Sequence, residues 1–326
     1  MYSPRLSELP QPPNDKTGWP WTEESSLLPS QMADGSPWPR VTLVTPSFNQ
    51  GSFLEETIRS VLLQGYPNLE YFILDGASTD NSVETIKKYS PWITYWISEP
   101  DGGQSEAINR GLEMGSGLFA TWINSDDLLH KDALAKHATQ IGFEGKVVYA
   151  GICLYLDEYG TTVRTHRGRV FSLEDLLHIR TVWRAGGNLV QPEVLFPREL
   201  ALEVGGLNTN NHLTMDYELW GKFLLAGARF HYTEIPFGMF RRHPSQKTQD
   251  GLDQTQSLID TAKNLLSLTD YFSETSRDEI LADLDAYYAA CQKGYWKSSG
   301  RLARIGLPPY IVKPLRNLRA RLQKNG

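Results

Sequence analysis

Cysteine is nearly absent from this chain of 326 residues, which holds two, Cys153 and Cys291, far apart and in no CxxC pair. That excludes a disulfide framework and a zinc site of the usual spacing, and it fits a reducing compartment. No apolar run approaches the ~20 residues of a bilayer span, and the N-terminus lacks the basic-then-apolar order of a secretory signal, so a cytoplasmic protein is expected. Phosphate loops are missing too. No GxxxxGK followed by Ser or Thr occurs, and no GxGxxG follows the first predicted strand, which argues against a P-loop NTPase and a Rossmann dehydrogenase. No internal repeat is found.

Acidic residues are lacking in one region only. From Ala286 onward there is none, while Lys293, Lys297, Arg301, Arg304, Lys313, Arg316, Arg319, Arg321 and Lys324 bring nine cations; setting those against the overall −6 leaves −15 on residues 1–285. An acidic body argues against a nucleic-acid binder, whose basic face would lie at its site. The basic tail also holds Tyr295, Trp296, Ile305, Ile311 and Leu315, a mixture suited to a headgroup layer, so peripheral membrane contact is expected. Packing of the same apolar residues on the body is the alternative.

What is present falls into three parts. Residues 1–39 hold eight of the 19 prolines and read as an extended arm, pinned by Trp19, Trp21 and Trp38. Over 40–250 strand and helix signals alternate: strands at Val41–Thr45, stopped by Pro46, at Leu69–Asp75, Trp92–Ile97 and Leu118–Ile123; helices at Phe53–Gln64, Ser82–Tyr89 and Ser105–Met114. A hairpin over Lys146–Arg164 and a helix over Met215–Ala226 follow. From 251 to 326 the pattern is helical apart from the basic tail. Repeated βα units imply a mostly parallel sheet flanked by helices, an α/β fold whose ligands bind beyond the carboxyl ends of the strands.

Those strand ends are polar: Thr45-Pro46-Ser47-Phe48-Asn49, Asp75 to Asp80, Glu99 to Gln104, and Asn124-Ser125-Asp126-Asp127. Together they make an acidic rim. Such a rim receives a diphosphate only if a divalent cation lies between, and Mg²⁺ or Mn²⁺ prefers carboxylate oxygens. Asn124 to Asp127 can alternatively be read as the cap of a following helix.

Taken together, these motifs resemble glycosyltransferase family 2, inverting enzymes with the GT-A fold, over about residues 40–248. The opening strand end, the Asp75–Ser82 segment, the Glu99–Gly111 loop and helix, the DxD-like Asn124–Asp127 and the acidic helix start Met215–Trp220 follow the family order. The resemblance implies a metal-dependent hexosyltransferase that moves a sugar from a nucleotide-diphosphate donor, UDP above all, to a glycan or lipid-linked acceptor in polysaccharide or glycolipid assembly. It makes Asp216 the general base, with a helix first turn favouring the macrodipole as the other reading of that residue. Asp126 and His243 would hold Mn²⁺ or Mg²⁺, although a packed histidine is the commoner fate of a lone His. Pro46, Ser47, Phe48, Asp75, Asp101, Gln104, Asn124, Ser125 and Arg242 would bind the donor. Gln191 and Trp220 would line the acceptor side, with core packing as the equal alternative for Trp220. Four positions depart from the family pattern: Asn124 replaces the first Asp of DxD, Gly76 follows Asp75, Phe48 stands where Tyr is common, and Met215 replaces an acid. A non-catalytic sugar-binding module and a nucleotidyltransferase are the rival readings. The latter needs a glycine-rich basic loop after the first strand, and Pro46 to Gly51 holds no Arg or Lys.

Overall fold

The computed structural model describes residues 3–142, 145–247 and 251–293. The tail from residue 294, with the membrane contact expected of it, lies outside the described residues.

The first half is built from βα units. β1 (Val41–Ser47), β2 (Leu69–Asp75), β3 (Tyr95–Ser98) and β4 (Phe119–Trp122) are parallel and lie in the order β3-β2-β1-β4. α1 (Gly51–Leu62), α2 (Ser82–Tyr89) and α3 (Gln104–Met114) connect them. α1 buries Leu54, Ile58, Val61 and Leu62, an apolar stripe at helical spacing. β1 runs on through Pro46, contrary to the expected stop. Val44 accepts from Ile123 N, so the missing N–H of Pro46 also points to the β4 side, where β4 has already ended.

The second half corrects the expectation of a mostly parallel sheet. β5 (Leu128–Leu129) and α4 (Ala133–Ala138) precede a hairpin of β6 (Val147–Leu156) and β7 (Thr162–His166). After α5 (Leu173–Leu177), β8 (Val194–Pro197) enters antiparallel to both β4 and β6. α6 (Arg198–Glu203) and α7 (Met215–Leu225) lead to β9 (Arg229–Arg241), which is parallel to β6 and antiparallel to β5. The nine-stranded sheet is therefore mixed, broadly GT-A-like, with order β3-β2-β1-β4-β8-β6-β9-β5 and β7 on the edge of β6. The reversal comes from β8, which pairs antiparallel with both β4 and β6.

Side chains alternate across the sheet. Val44, Trp122 and Phe196 face a core completed by α3, α6 and α7 and by the C-terminal pair α8 (Leu252–Ser267) and α9 (Glu274–Gln292), which contribute Leu258, Leu265 and Leu284. Leu43, Ile73 and Phe237 face the other core, shared by α1, α4 and the N-terminal arm through Leu9 and Trp38. Each such fully buried leucine contributes about 2 kcal/mol, so arm and C-terminal helices are held by substantial apolar burial. The arm is also held by polar contacts. The buried Arg59 donates to the carbonyls of Pro10, Pro20 and Trp21, and Trp19 Nε1 donates to Leu129 O.

Candidate active site

The carboxyl ends of β1, β2 and β4 converge with the segment that follows β9. Asn124–Asp127 leads into a strand and not a helix, so it caps nothing and the capping reading fails. Its backbone is instead held from α1, where Thr57 Oγ1 donates to the carbonyls of Ser125 and Asp127 at 2.9 and 2.8 Å. Asp127 is buried, accepting from Arg241 N and Asn124 Nδ2. Burial, and next the neighbouring Asp126 carboxylate, push the Asp127 pKa well up.

Asp126 faces the other way, and its Oδ2 lies 3.0 Å from His243 Nε2. His243 is buried, stacks on Phe53 with ring centroids 4.5 Å apart, and meets Ser245 Oγ through Nδ1 at 2.9 Å. The donated Nε2 proton leaves Nδ1 to accept from the Ser245 hydroxyl. Arg241 backs this pair. Its Nε donates to Asp126 O, its Nη2 forms an ion pair with Glu56 Oε2 at 3.0 Å, off hydrogen-bond alignment, and its guanidinium covers Phe53. Phe53, Glu56, Thr57 and Arg241 were not singled out from sequence. The available signal was polar Thr57 inside the apolar stripe of α1.

A chain of amides crosses the cleft. Lys247 Nζ donates to Gln104 Oε1 at 3.2 Å, Gln104 Nε2 to Asn124 Oδ1 at 2.8 Å, and Asn124 Nδ2 to Asp127 Oδ2 at 3.2 Å. Asn124 thus donates to a buried carboxylate, which an aspartate there could not do. Asp216 stands in the first turn of α7, partly exposed, its Oδ1 accepting from Tyr217 N. Burial raises its pKa, opposed by its hydrogen bonds and by the Lys247 cation. Asp216 in turn raises the Lys247 pKa against the lowering by burial, which ties both residues to the same cleft.

The β1 and β2 ends are internally satisfied. Asp75 is buried and accepts from Ser47 Oγ, Ser78 Oγ, Ser78 N and Ser98 Oγ, so both oxygens already carry two donors. Ser47 and Pro46 are buried beside it, whereas Phe48 is 62% exposed at the rim. Asn49 and Ala77 take left-handed backbone with φ of 52° and 61°, and Asn49 bridges to Ser78 and Thr79. A small recess lined by Leu74, Asp75, Ile97, Glu99, Asp101 and Arg110 opens next to this end of the sheet. Asp101 holds the turn into α3 by accepting from Gly103 N.

Four expected binding residues lie elsewhere. Trp220 is fully buried, stacked on Trp122 at 5.9 Å and enclosed by Phe196, Phe223 and Phe230, so it offers no face to an acceptor; this corrects the acceptor role. Gln191 is buried, its Nε2 donating to the Trp122 carbonyl, while its Oε1 has no partner. Ser125 is buried as well. Arg242 is exposed between buried Arg241 and His243, and strand alternation turns it away from the Asp126–His243 pair.

Among the described residues no group of three or more His, Cys, Asp or Glu side chains could hold a metal. Once the Nε2 proton is displaced, as ligation of a metal requires, the Asp126–His243 pair offers one oxygen and one nitrogen donor to the same point, a set that suits Mn²⁺ or Mg²⁺ only if phosphate and water complete the shell.

Residues 42–202 match the family described as Glycosyl transferase family 2. An uncharacterized glycosyltransferase of Rickettsia typhi is 25% identical over 275 residues, covering 80% of this chain and 82% of that protein. Among solved structures, Staphylococcus aureus TarS 1–349 in complex with UDP-GlcNAc superposes with a TM-score of 0.57 at 16% identity, over 75% of this chain and 71% of that one. The mannosyltransferase PcManGT of Pyrobaculum calidifontis, in complex with GDP-Man and Mn²⁺, gives 0.53 at 19% identity over 86% and 80%. At these identities the structural likeness speaks for the fold.

Proposed function

We propose, from the match of residues 42–202 to Glycosyl transferase family 2, a hexosyl transfer from a UDP-sugar to an acceptor hydroxyl, in polysaccharide or glycolipid assembly, with inversion. The observation that carries the reading is the meeting of Asp126 and His243, 117 positions apart, at 3.0 Å in the cleft that Asp216 enters. The nucleoside fits the recess beside Asp101, with Phe48 at its rim as a stacking face. Asp75 shapes that recess by fixing Ser47, Ser78 and Ser98, and does not bind with its own filled oxygens. Gln104 and Asn124 border the sugar and diphosphate.

Asp216 removes the proton from the acceptor hydroxyl, and its raised pKa makes it a stronger base than an ordinary aspartate. The attacking oxygen then displaces the diphosphate from the opposite face of the anomeric carbon. Asp126 and His243 would hold Mn²⁺ or Mg²⁺, which when bound stabilises charge on the departing diphosphate. Lys247 lies across the same cleft and is placed to add a second positive charge there. Donor hydrolysis in the absence of acceptor tests the whole reading: a chain that binds UDP-sugar without turning it over is a binding module and not an enzyme.

The two cysteines are buried and free, and among the described residues no helix is long and apolar enough to cross a membrane. We propose a cytoplasmic site of action with the basic C-terminal tail lying on an anionic membrane surface, where lipid-linked acceptors are presented. The division into an arm, a catalytic domain over 40–250 and a helical extension is proposed with it.

A further inference from the structure

Among the described residues neither Arg164 nor Arg242 forms an ion pair with a carboxylate, and Arg164 Nη2 lies 3.4 Å from His166 Nδ1. Their neighbours on the same edge are paired, Arg167 and Arg169 sharing Glu234. The two arginines are brought to one face by strand register. Arg164 is opposite Tyr155, and Tyr155 is opposite Phe240. Arg164 Cζ lies over the Tyr155 ring at 5.3 Å, and the Tyr155 and Phe240 rings are 5.3 Å apart. Arg242 follows two residues after Phe240, and its N–H extends the ladder by donating to Leu156 O.

That face is the one opposite the Asp126–His243 pair. Arg241 and His243 both lie against Phe53 on the α1 side, so the residue between them projects the other way. Burial drives the Tyr155 pKa up while the Arg164 and Arg242 cations both oppose it, as expected of two guanidiniums near one hydroxyl. Nearby carboxylates form no ion pair with them among the described residues. Asp157 is used by the hairpin turn, accepting from Tyr159 N and Thr161 N, and Glu193 is buried with its pKa pushed well up by that burial. Glu158 is exposed at the tip and forms no ion pair among the described residues. Tyr159, 84% exposed, extends the face with an aromatic ring.

Two strand spacings and two residues along the chain separate Arg164 from Arg242, about 12 Å at the backbone, which two arginine side chains can span to reach one oxyanion or two on successive units. We propose that Arg164 and Arg242, with Tyr155 and Tyr159, bind an oxyanion carried by the sugar acceptor, outside the donor cleft. This rests on the glycosyltransferase reading and assigns the acceptor to anionic carbohydrates, whether the charge comes from phosphate or carboxylate. Guanidinium forks and an aromatic face suit both parts of such a ligand.

The test uses the full chain and three probes of equal length in calorimetric titration at low salt: an oligoglucuronate, a glycerol-phosphate oligomer and a neutral oligoglucose. At least one anionic oligomer is expected to bind more tightly than the neutral one, and Arg164→Ala with Arg242→Ala to weaken it by at least ~10-fold. Which anionic oligomer binds identifies the source of the charge. Arg229→Ala is the control, because it removes an exposed arginine at the far end of β9, roughly 40 Å away along the strand. It should leave anion binding unchanged and so discounts nonspecific attraction to the basic tail, which all variants keep. Equal affinity for charged and neutral oligomers, or parent-like anion binding by the double variant, overturns the proposal. UDP titrated into the same samples separates the two levels: lost UDP binding with intact anion preference counts against the donor reading alone.

Discussion

Asp216 and the Asp126–His243 pair make separable demands on single residues. Asp216→Asn is expected to keep UDP-sugar affinity and lose transfer by at least ~100-fold, the scale for removing a general base; parent-like turnover would reject the role. Because burial raises the Asp216 pKa, the acid limb of the transfer rate should lie above the ordinary aspartate range, with activity rising as the base ionises. The sign for stability is the reverse. A carboxyl whose folded pKa is raised contributes stability at low pH that is lost as pH rises through that value, so Asp216→Asn should gain thermal stability over the parent toward neutral pH. For the Asp126–His243 pair, UDP-sugar affinity is expected to fall when EDTA replaces Mn²⁺, and Asp126→Ala should abolish that difference in calorimetry. Identical affinities in EDTA and Mn²⁺ would show that Lys247 and protein dipoles suffice. The pairing of Asp126 with His243 was legible because motif order carries across a family even when the contact spans 117 positions. Trp220 stayed open between core and acceptor side for a physical reason. α7 is buried at Met215, Tyr217, Glu218, Leu219, Trp220, Gly221 and Phe223, nearly all round, so no polar face showed which way an aromatic pointed.

The helices after the catalytic sheet bear on how α7 is set. Thr214, at the N-terminus of α7, shares hydroxyl hydrogen bonds with Ser257 and Thr261 of α8 at 2.9 and 3.0 Å, and Asn211 joins Thr214, Thr261 and buried Glu218. Two residues further on stands Asp216. Thr214→Val keeps the shape but strands these partners, so it should lower stability by ~1–2 kcal/mol in urea titration and lower kcat more than it changes donor KM. An unchanged kcat would confine α8 to a packing role. Elements with their own periodicity were readable: Leu69–Asp75 and Ser82–Tyr89 coincide with β2 and α2, and the hairpin and α7 are within two residues. β8 and β9 escaped because their identity is set by neighbours. β8 has four residues, and β9 alternates weakly, with Thr233, Glu234 and Pro236 inside it, and depends on pairing with β6. The same dependence made the sheet mixed, since no local signal tells a strand which direction its partner runs.

For the whole molecule, charge bears on how the arm meets the body and on what the tail does. Arg59 is a buried cation without a carboxylate partner among the described residues, held instead by three arm carbonyls, the Tyr89 hydroxyl and the face of Trp21. Arg59→Met leaves those carbonyls without donors and should lower unfolding free energy by ~2–4 kcal/mol, read as a lower urea midpoint; a shift under ~0.5 kcal/mol would mean that water replaces the guanidinium. The tail poses the opposite problem, nine cations and no acid from Ala286 on, appended to a body of −15. Were those cations meant for the body, neutralisation would be internal and the chain would ignore lipid. If they serve a membrane, the acidic body is repelled by the same anionic surface, which would orient the enzyme with its tail down. Each cation near such a surface contributes up to ~1 kcal/mol, so replacing Lys313, Arg316, Arg319 and Arg321 by Gln should weaken binding to phosphatidylserine vesicles by up to ~10³-fold. Sedimentation at low salt with phosphatidylserine and with neutral vesicles measures it. Full-chain protein that stays in the supernatant with both would assign the tail to the body, and the acceptor would then have to reach the enzyme in solution.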